Sequence, residues 1–533
     1  MRGLCAVVFC GAVAFPAMAT DADAVRPNVL FVICDDLNDS VEGLGGHPQA
    51  RTPHLDRFAG SAVRFQCAYS NNPVCGPSRG SLWTGLYPHT TGLYGHDQNN
   101  YTWRDTPLGK RAVTLFEHFQ RHGYDVRGTG KIFHNNHHTV PLFGKENFGA
   151  PASFGPWPWD GKTKSPFETR HPASKAPWGG NGFETMVPLS EIPSISPDPG
   201  RGVPGHTGWR DLGKPFRYVS DEDRDPMIDE QSVAFVRKVL SEKRDRPLLL
   251  AVGFLRPHCP WVVPKKYFDL FPLEGIQLPP YRANDLEDCG RFFPKMKASG
   301  NEWYLRLERL REAYGGDLGW RMWIRAYLAC AAFVDDQFGQ LMAALEEAGL
   351  ADSTIVVFTS DHGFHMGEKD LLCKKTCWEE ATRVPLLIRA PGVGAPGADC
   401  PQPVSLVDLY PTLLDLCGLP PSPNEGGNGR ALDGHSLRPL LADPPSGKWS
   451  GPEGALSCIE GGEAVQLGVV APPEKQHFTV RTRDWRYVRY ADGDEELYDH
   501  RVDPQEWTNL AGKPEHAERL SAMRKRLDEE LAR

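Results

Sequence analysis

Near its start the chain reads Asn28-Val29-Leu30-Phe31-Val32-Ile33-Cys34-Asp35-Asp36. This run is apolar over the length of one strand and then changes abruptly to two carboxylates. A strand that is buried on both faces shows no alternation of polar and apolar residues, which is typical of a parallel sheet covered by helices. The stretch therefore predicts a central parallel strand whose carboxyl end carries chemistry.

Three further segments show an amphipathic helix followed by a buried strand. Val113, Phe116 and Phe119 recur at helical spacing before residues 125–127, and the same order is found at 228–240 with 248–254 and at 327–345 with 354–358. This alternation predicts an α/β fold with a large, doubly wound, mostly parallel sheet and helices on both faces. Ligands of such sheets bind beyond the carboxyl ends of the strands.

Residues 141–225 interrupt this rhythm with thirteen prolines in 85 positions. We expect a loop-rich insertion without regular helix or sheet, and its tryptophans favour a role in shaping a pocket over a flexible excursion. A Pro/Gly/Ser-rich stretch at 421–455 predicts a linker between a catalytic domain at 27–430 and a small C-terminal subdomain at 456–533. Alternation at 478–490 and helical spacing at 520–531 predict an antiparallel sheet and a terminal helix in that subdomain.

Composition excludes several classes of function. The 533 residues carry a net charge of -9, so no global basic field exists to bind nucleic acid, and a mean hydropathy of -0.43 does not fit a predominantly membrane-embedded protein. Residues 1–19 combine Arg2, an apolar run and Ala17-Met18-Ala19, which predicts a cleaved secretory signal peptide, with a lipoprotein signal or an uncleaved anchor as the alternative. We therefore expect a secreted or periplasmic protein without a membrane span.

Cysteine number adds one constraint. Removal of the signal peptide deletes two of the thirteen cysteines and leaves eleven. Because eleven is odd, at least one thiol is unpaired or otherwise employed in an oxidising compartment.

A second acidic site follows another predicted strand. Asp361 and His362 come directly after the buried run at 354–358, as Asp35 and Asp36 follow the first strand. A lone Asp pair more often caps a helix. Two such sites on one edge of a parallel sheet, however, place three carboxylates together, and these repel one another unless a cation lies between them. Oxygen ligands favour calcium or magnesium over zinc, so we expect one divalent cation.

Between these sites the chain reads Asn72-Pro73-Val74-Cys75-Gly76-Pro77-Ser78-Arg79-Gly80-Ser81-Leu82-Trp83-Thr84-Gly85. The pattern C-x-P-S-R followed by Leu and Thr-Gly resembles the signature of the type I sulfatases, in the alkaline-phosphatase-like superfamily. In that family the motif cysteine is oxidised to formylglycine, whose hydrate is the nucleophile. The resemblance implies that Cys75 is the odd cysteine and that a formylglycine-generating enzyme acts on it during maturation. A structural cysteine in a loop is the alternative interpretation.

The resemblance extends along most of the chain and implies a set of site residues. The implied metal set is Asp35, Asp36, Cys75, Asp361 and His362, with Ca²⁺ as the cation, and the implied catalytic set is Cys75, Arg79, Lys131, His134, His258 and Lys374. Lys131 and His134 belong to a G-K-x-x-H segment, and His258 follows the strand that ends at Leu255. Lys375 is an adjacent rival for the role of Lys374, and the sequence leaves that choice open.

The implied chemistry is hydrolysis of a sulfate ester through a sulfoenzyme intermediate. Arg79, Lys131, Lys374 and the cation would hold the sulfate, because its negative charge repels a nucleophile. His258, with Lys374 nearby, would protonate the leaving oxygen, and His134 would deprotonate the second hydroxyl of the hydrate so that sulfate is released. An ordinary serine or cysteine has no second hydroxyl and would remain sulfated.

Some positions depart from the usual family pattern. Trp83 replaces a smaller aliphatic residue, which we expect to affect packing. His362 stands where many members carry Asn, and this version, together with residues 253–261, leans toward the iduronate-2-sulfatase subgroup. Cys373 and Cys377 lack a second thiol pair for zinc, so a disulfide or two buried thiols are expected.

These features predict a sulfatase acting on O-sulfate esters of a glycosaminoglycan-like or algal sulfated saccharide. Phosphodiester or phosphonate monoester hydrolysis on the same fold is the alternative reaction. A catalytically silent glycan-binding protein is a third hypothesis, against which the intact set of site residues argues. The residues 170, 171, 175, 201 and 210 of the insertion are basic and could pair with anionic groups of a glycan.

Overall fold

The computed structural model describes residues 26–41, 43–95, 104, 106–134, 136–159, 184–193, 206–425, 429–445, 449–461 and 472–532. The predicted signal peptide lies outside these residues. Eighteen strands are described: β1 Asn28–Asp35, β2 Val63–Phe65, β3 Ala68–Tyr69, β4 Asp125–Gly130, β5 Phe148–Pro151, β6 Trp157–Pro158, β7 His206–Asp211, β8 Lys214–Arg217, β9 Leu248–Pro257, β10 Thr354–Ser360, β11 Arg383–Val384, β12 Leu386–Arg389, β13 Asp399–Cys400, β14 Val404–Ser405, β15 Gly454–Ile459, β16 His477–Thr482, β17 Trp485–Arg489 and β18 Glu495–Asp499. 

Fourteen α-helices are described in the same part of the chain: α1 Pro53–Ala59, α2 Cys75–Thr84, α3 Pro88–Thr91, α4 Leu115–Arg121, α5 Asn136–Phe143, α6 Ile228–Ser241, α7 Lys265–Phe268, α8 Phe292–Ala298, α9 Glu302–Tyr314, α10 Leu318–Glu347, α11 Glu379–Thr382, α12 Leu409–Leu416, α13 Arg438–Ala442 and α14 Ala517–Leu531. None of them is long and apolar enough to cross a bilayer. Helix α10 begins nine residues before the predicted start at 327, since Trp320 and Trp323 extend its buried face.

The central sheet has eight strands in the order β13-β2-β12-β10-β1-β9-β4-β5. The five strands from β10 to β5 are parallel, whereas β12 pairs with β10 and with β2 in antiparallel fashion. The predicted fold class, a mostly parallel α/β sheet with a small C-terminal α+β part, is confirmed. β1 lies in the middle, so its carboxyl end is flanked by the ends of β9 and β10.

Both faces of the sheet are covered by helices. Along β1, Val29, Phe31 and Ile33 pack in one core with the side of α2, α4 and α12, and the alternate residues pack in a second core with α1, α6 and α10. Burial on both faces explains why the sequence of β1 is apolar without alternation.

The expectation that residues 141–225 lack regular structure is wrong for their described part. β5 adds a parallel edge strand to the central sheet, and β6, β7 and β8 form a separate antiparallel sheet. Short β-pairs tolerate prolines at their edges, which the sequence pattern does not reveal. Four of the five basic residues proposed for glycan contact lie outside the described residues. Arg210 lies on β7, where its guanidinium stacks 4.5 Å from the ring centre of Trp159.

The C-terminal part contains the predicted sheet and terminal helix. β15, β16, β17 and β18 form an antiparallel sheet in that order. Leu520, Met523 and Leu527 of α14 pack in one core with Val480 and Tyr487 of this sheet. The single alternating stretch at 478–490 is divided between β16 and β17.

Candidate active site

Three carboxylates converge at the carboxyl edge of the central sheet. Asp35 ends β1, Asp36 follows it, and Asp361 follows the parallel neighbour β10. All three side chains are buried. The backbone N–H of Asp36 donates to Oδ1 of Asp361 over 3.2 Å. The parallel pairing of β1 and β10 therefore brings the two predicted acidic sites together.

Cys75 begins helix α2 and faces this cluster. Its Sγ lies 3.3 Å from Oδ1 of Asp35, 3.3 Å from Nε2 of His362 and 3.1 Å from Nζ of Lys374. Burial raises the pKa of the thiol, and the negative charge of Asp35 raises it further. Since the thiolate is the reactive form of cysteine, the unmodified side chain is a poor nucleophile here.

Arg79 lies one helical turn after Cys75 and joins several elements. Its Nε donates to Oδ2 of Asp361 over 2.8 Å, and its terminal nitrogens donate to the backbone carbonyls of Cys34 at 3.0 Å and of Lys131. The side chain is fully buried. A planar guanidinium can satisfy these differently placed acceptors at once, which an ammonium cannot.

Two lysines neutralise the carboxylates. The ammonium of Lys131, which follows β4, donates to Asp35, and that of Lys374 donates to Oδ1 of Asp36 over 2.6 Å. Burial alone would raise the pKa of both carboxyls, but the lysines hold it below its usual range, well below for Asp35. The geometry places Lys374 at the cluster, while Lys375 points elsewhere and lines a neighbouring cavity.

Two observations show that the cluster is suited to a hard divalent cation. Ligand atoms of Asp35, Asp36, Cys75 and His362 all lie within 4.8 Å of one another. Oδ2 of Asp36 is buried and has no hydrogen-bond partner among the described residues. A buried carboxylate oxygen without a partner is costly unless a cation meets it, and a set rich in carboxylates is typical of calcium or magnesium. Asp361 lies beside this set, with Oδ1 3.6 Å from Nε2 of His362.

His362 presents a lone pair to the cluster. Its Nδ1 lies 2.9 Å from the backbone carbonyl of Gly363, so Nδ1 carries the proton. Burial lowers the pKa of the imidazole, which favours the neutral form. Nε2 is then an acceptor that faces Sγ of Cys75 and lies 3.4 Å from Oδ1 of Asp36. A hydrogen bond from the other ring nitrogen is the usual way in which a protein fixes the tautomer and orientation of a metal-binding histidine.

Two further histidines lie near the same cluster. Nδ1 of His258 lies 2.6 Å from the carbonyl of Cys259, which leaves Nε2 facing Oδ2 of Asp36 at 3.8 Å. Burial lowers the pKa of His258 to about 4. The pKa of His134 is held well below its ordinary value by burial and by the positive charge of Lys131.

The sequence did not single out Phe154, which contacts two of these side chains. Its ring centre lies 4.7 Å from Nζ of Lys131 and 4.9 Å from the ring centre of His258. Phe154 belongs to the segment 141–225, so part of that segment reaches the reaction centre itself. An aromatic residue in a proline-rich segment gives no sequence signal for this contact.

The loop that carries His258 is held by buried polar residues that sequence reasoning also missed. Arg256 donates to the carbonyl of Gly155 over 2.9 Å and to that of Val262 over 3.2 Å. The carboxylate of Asp229 on α6 accepts from the backbone N–H of Leu255 at 2.7 Å and of Arg256 at 3.1 Å. These bonds fix the direction in which the chain leaves β9.

The described cysteines are all thiols, eleven in number. Cys373 and Cys377 are therefore two buried thiols, the second of the two expected states. Cys75 is the one whose sulfur lies among the acidic and basic side chains of the cluster.

Comparisons with known proteins agree with this geometry. A family model described as sulfatase matches residues 27–419, and a model for the C-terminal part of N-sulphoglucosamine sulphohydrolase matches residues 367–533. A sulfatase of Formosa agariphila is 32% identical over 507 residues, which cover 94% of this chain and 86% of that protein. Iduronate 2-sulfatase of Homo sapiens is 30% identical over 524 residues, covering 86% and 84%.

A solved structure gives the same fold. The phosphonate monoester hydrolase of Agrobacterium radiobacter superposes with a TM-score of 0.67 at 22% identity, covering 95% of this chain and 96% of that one. The match of the family model over most of the chain, with the relative at 32% identity, decides the family. The chain belongs to the sulfatase family, as a type I sulfatase of the alkaline-phosphatase-like superfamily, and is a sulfuric ester hydrolase.

Proposed function

We propose that this sulfatase hydrolyses O-sulfate esters of sulfated saccharides and that its nucleophile derives from Cys75. The observation that carries the proposal is the position of Cys75 Sγ, within 3.3 Å of Asp35, His362 and Lys374. Burial and the charge of Asp35 raise the pKa of the thiol, so an unmodified Cys75 would be a poor nucleophile. A formylglycine hydrate at position 75 would supply a hydroxyl oxygen to attack sulfur.

The cation of the site would be held by Asp35, Asp36, Asp361 and residue 75, with His362 at or beside the last protein position. Ca²⁺ fits the carboxylates better than it fits the imidazole nitrogen, since calcium prefers oxygen. When bound, the cation would lower the pKa of a hydroxyl and neutralise charge on the sulfate.

Lys131, Lys374 and Arg79 would bind and orient the sulfate. In the structure the two ammonium groups donate to Asp35 and Asp36. Positive side chains that are fixed in a buried site stabilise developing negative charge more strongly than mobile ones in water. Arg79, which already bonds Asp361 and three backbone carbonyls, would hold the start of α2 in place beside that cluster.

Proton transfer would fall to the two histidines. Because Nδ1 of His258 is bound to a backbone carbonyl, Nε2 is the atom that would deliver a proton to the leaving oxygen, with Lys374 nearby. A bound sulfate would favour the charged form of His258, which burial now disfavours. His134 is held neutral and could accept the proton whose removal releases sulfate.

Sulfated saccharides are supported as substrates by the relative that is named for iduronate 2-sulfate hydrolysis. Phe154 of segment 141–225 would line part of the leaving-group side, since its ring contacts Lys131 and His258, whereas Trp157 and Trp209 are buried in the protein interior. We further propose export to the periplasm or the exterior through residues 1–19, and maturation by a formylglycine-generating enzyme.

Peptide mass spectrometry tests the nucleophile. Protein produced together with a formylglycine-generating enzyme should carry an aldehyde at position 75 and hydrolyse an aryl sulfate faster than a phosphodiester. Cys75→Ser should fold, as judged by circular dichroism, and lose turnover by several orders of magnitude. A fully active preparation with only thiol at position 75 would refute the proposal, and faster phosphodiester hydrolysis would refute the substrate class.

Metal analysis tests the cation. Removal of metal with a chelator should abolish turnover, and Ca²⁺ should restore it at one ion per chain. Asp361→Ala should bind Ca²⁺ at least tenfold more weakly because a carboxylate is lost beside the cluster. Stoichiometric zinc in an active preparation, or full activity of Asp361→Ala, would contradict the assignment.

A further inference from the structure

A cavity of about 150 Å³ lies next to the reaction centre. Val74 and Lys375 line it, and these residues are the chain neighbours of Cys75 and Lys374. The remaining wall includes four aromatic residues, Tyr94, Phe292, Trp303 and Tyr304, together with Gly95, Met296, Asn301, Ile459 and Glu460. The cavity thus adjoins Cys75 and Lys374 along the chain, although neither of these two residues lines it.

Lys375 has an unusual backbone. Its φ is +66°, in the left-handed region that residues with a Cβ rarely adopt. Because of this backbone conformation, the two consecutive lysine side chains point in different directions. Lys374 donates to Asp36 and to Cys75, while Lys375 lines the cavity. A residue held in this region costs free energy, and such positions cluster at functional sites.

The ammonium of Lys375 makes no direct ion pair or hydrogen bond with the described residues. Among the described residues no carboxylate lies within 4.0 Å of its Nζ, and no hydrogen bond of the ammonium is found in that part of the chain. Burial lowers the pKa of Lys375, and Glu460 is the acid that acts on it most strongly. A partly buried ammonium gains more from an anionic partner than an exposed one does.

We propose that this cavity holds the sugar residue that carries the scissile sulfate and that Lys375 selects a second anionic substituent on that sugar. The proposal rests on the proposed function and deepens it. The shared chemistry is a carboxylate or a further sulfate, either of which would accept a charge-assisted hydrogen bond from the ammonium. The faces of Trp303, Tyr304 and Tyr94 would cover apolar parts of the ring.

Two substitutions separate charge from backbone conformation. Lys375→Asn removes the charge, and Asn tolerates a positive φ better than most residues, whereas Lys375→Arg retains the charge. Lys266→Asn is the matched control, because its side chain is 59% exposed and lies on α7. Mature enzyme is assayed on three monosaccharides: an O-sulfated uronic acid, a disulfated glucosamine and a neutral hexose with one sulfate.

The readout is the ratio of kcat/KM on each anionic sugar to kcat/KM on the neutral one. In Lys375→Asn this ratio should fall about 10- to 100-fold for the sugar that the cavity accepts, mainly through KM. Lys375→Arg should retain most of it, and Lys266→Asn should match the wild type. The arm that responds identifies the carboxylate or the second sulfate as the group recognised.

Three outcomes would overturn the inference. These are an unchanged ratio in Lys375→Asn, an equal loss on all three sugars, and a wild-type enzyme that prefers the neutral sugar. Failure of the proposed function looks different, since the wild type would then hydrolyse none of the sugars and no aryl sulfate.

Discussion

A single buried guanidinium holds the reaction centre together. Arg79 links α2 to Asp361, which follows β10, to Cys34 within β1 and to Lys131 after β4; the last two contacts are made with backbone carbonyls. The carbonyls and the carboxylate would all lose a donor if it were shortened or replaced. The position is thus sensitive to geometry as well as to charge.

We predict that Arg79→Lys lowers the free energy of unfolding by roughly 2–4 kcal/mol, because buried acceptors are left without a donor. Turnover should fall at the same time. Arg64→Lys is the control, since Arg64 pairs with Asp399 at the surface with side chains 22% and 49% exposed, and should cost under about 1 kcal/mol. Denaturant unfolding measures both. Equal costs in the two variants would contradict the role given to Arg79.

At the scale of elements, helix α2 is positioned by Trp83. The indole is fully buried, its Nε1 donates to the carbonyl of Ile132 over 2.8 Å, and its ring packs 4.7 Å from Phe31 and 4.8 Å from Phe116. The sequence suggested a packing role for this departure from the family pattern. The hydrogen bond adds that Trp83 also fixes the segment between Lys131 and His134.

Substitution of Trp83 should separate these two contributions. We predict that Trp83→Leu, which leaves a cavity, lowers the free energy of unfolding by roughly 3–5 kcal/mol. Trp83→Phe keeps a ring but leaves the Ile132 carbonyl without its donor, and it should lower the free energy of unfolding by about 1–2 kcal/mol. Urea unfolding measures both values. If Trp83→Phe were as stable as the wild type, the indole hydrogen bond would not hold this segment.

Sequence patterns predicted the elements that local residues determine. Buried runs gave the central strands, and strand ends carried the acidic residues, because chain direction in a parallel sheet brings those ends to one edge. The choice between Lys374 and Lys375 was beyond such patterns. It depends on a positive φ at Lys375, and nothing in two identical neighbouring side chains encodes which of them turns toward Asp36.

Contacts between segments that are distant in the chain could also not be predicted from the sequence. Phe154 contacts Lys131 and His258, although these residues are distant from it in the sequence. Regular strands in that insertion were missed because prolines mask the period of short edge strands. The mature nucleophile, in contrast, was predicted from the Cys75 motif, and it stays a prediction until the aldehyde is measured.

At the scale of the whole molecule, the C-terminal sheet is joined to the catalytic part through buried charges. Arg486 of β17 donates to Glu379 of α11 and to Glu506, and it donates to the carbonyl of Cys377 over 2.9 Å. His500 adds a bond of 2.8 Å to Glu506. Although burial opposes the charged form, Arg481 and Arg486 hold the pKa of Glu379 well below its ordinary value.

The next residue titrates in the opposite direction. Glu380 lines a cavity of about 530 Å³ between the two parts of the molecule, together with Glu368. Burial raises the pKa of Glu380 well above its usual range, with Glu368 and Glu506 adding to the effect, and burial raises the pKa of Glu368 to about 7. Oε2 of Glu380 faces Nδ1 of His365 at 3.9 Å, and burial lowers the pKa of that imidazole to about 3, so it supplies no positive charge.

The raised pKa values of Glu368 and Glu380 predict that the contribution of these two carboxyls to stability falls as pH rises. Above about pH 4.5 the unfolded chain releases protons that the folded state retains at Glu368 and Glu380, so these two groups favour folding most at acid pH and less as pH rises toward 7 and beyond. Glu380→Gln removes one of the two carboxyls while keeping its shape. We therefore expect the variant to be more stable than the wild type at pH 8, and the difference to shrink by up to about 1 kcal/mol per pH unit toward pH 5. Denaturant unfolding at several pH values measures it, with Glu347→Gln, whose side chain is 65% exposed, as the control. A difference between Glu380→Gln and the wild type that is the same at pH 5 and pH 8 would mean that Glu380 is ionised in the folded protein over this range, contrary to its raised pKa.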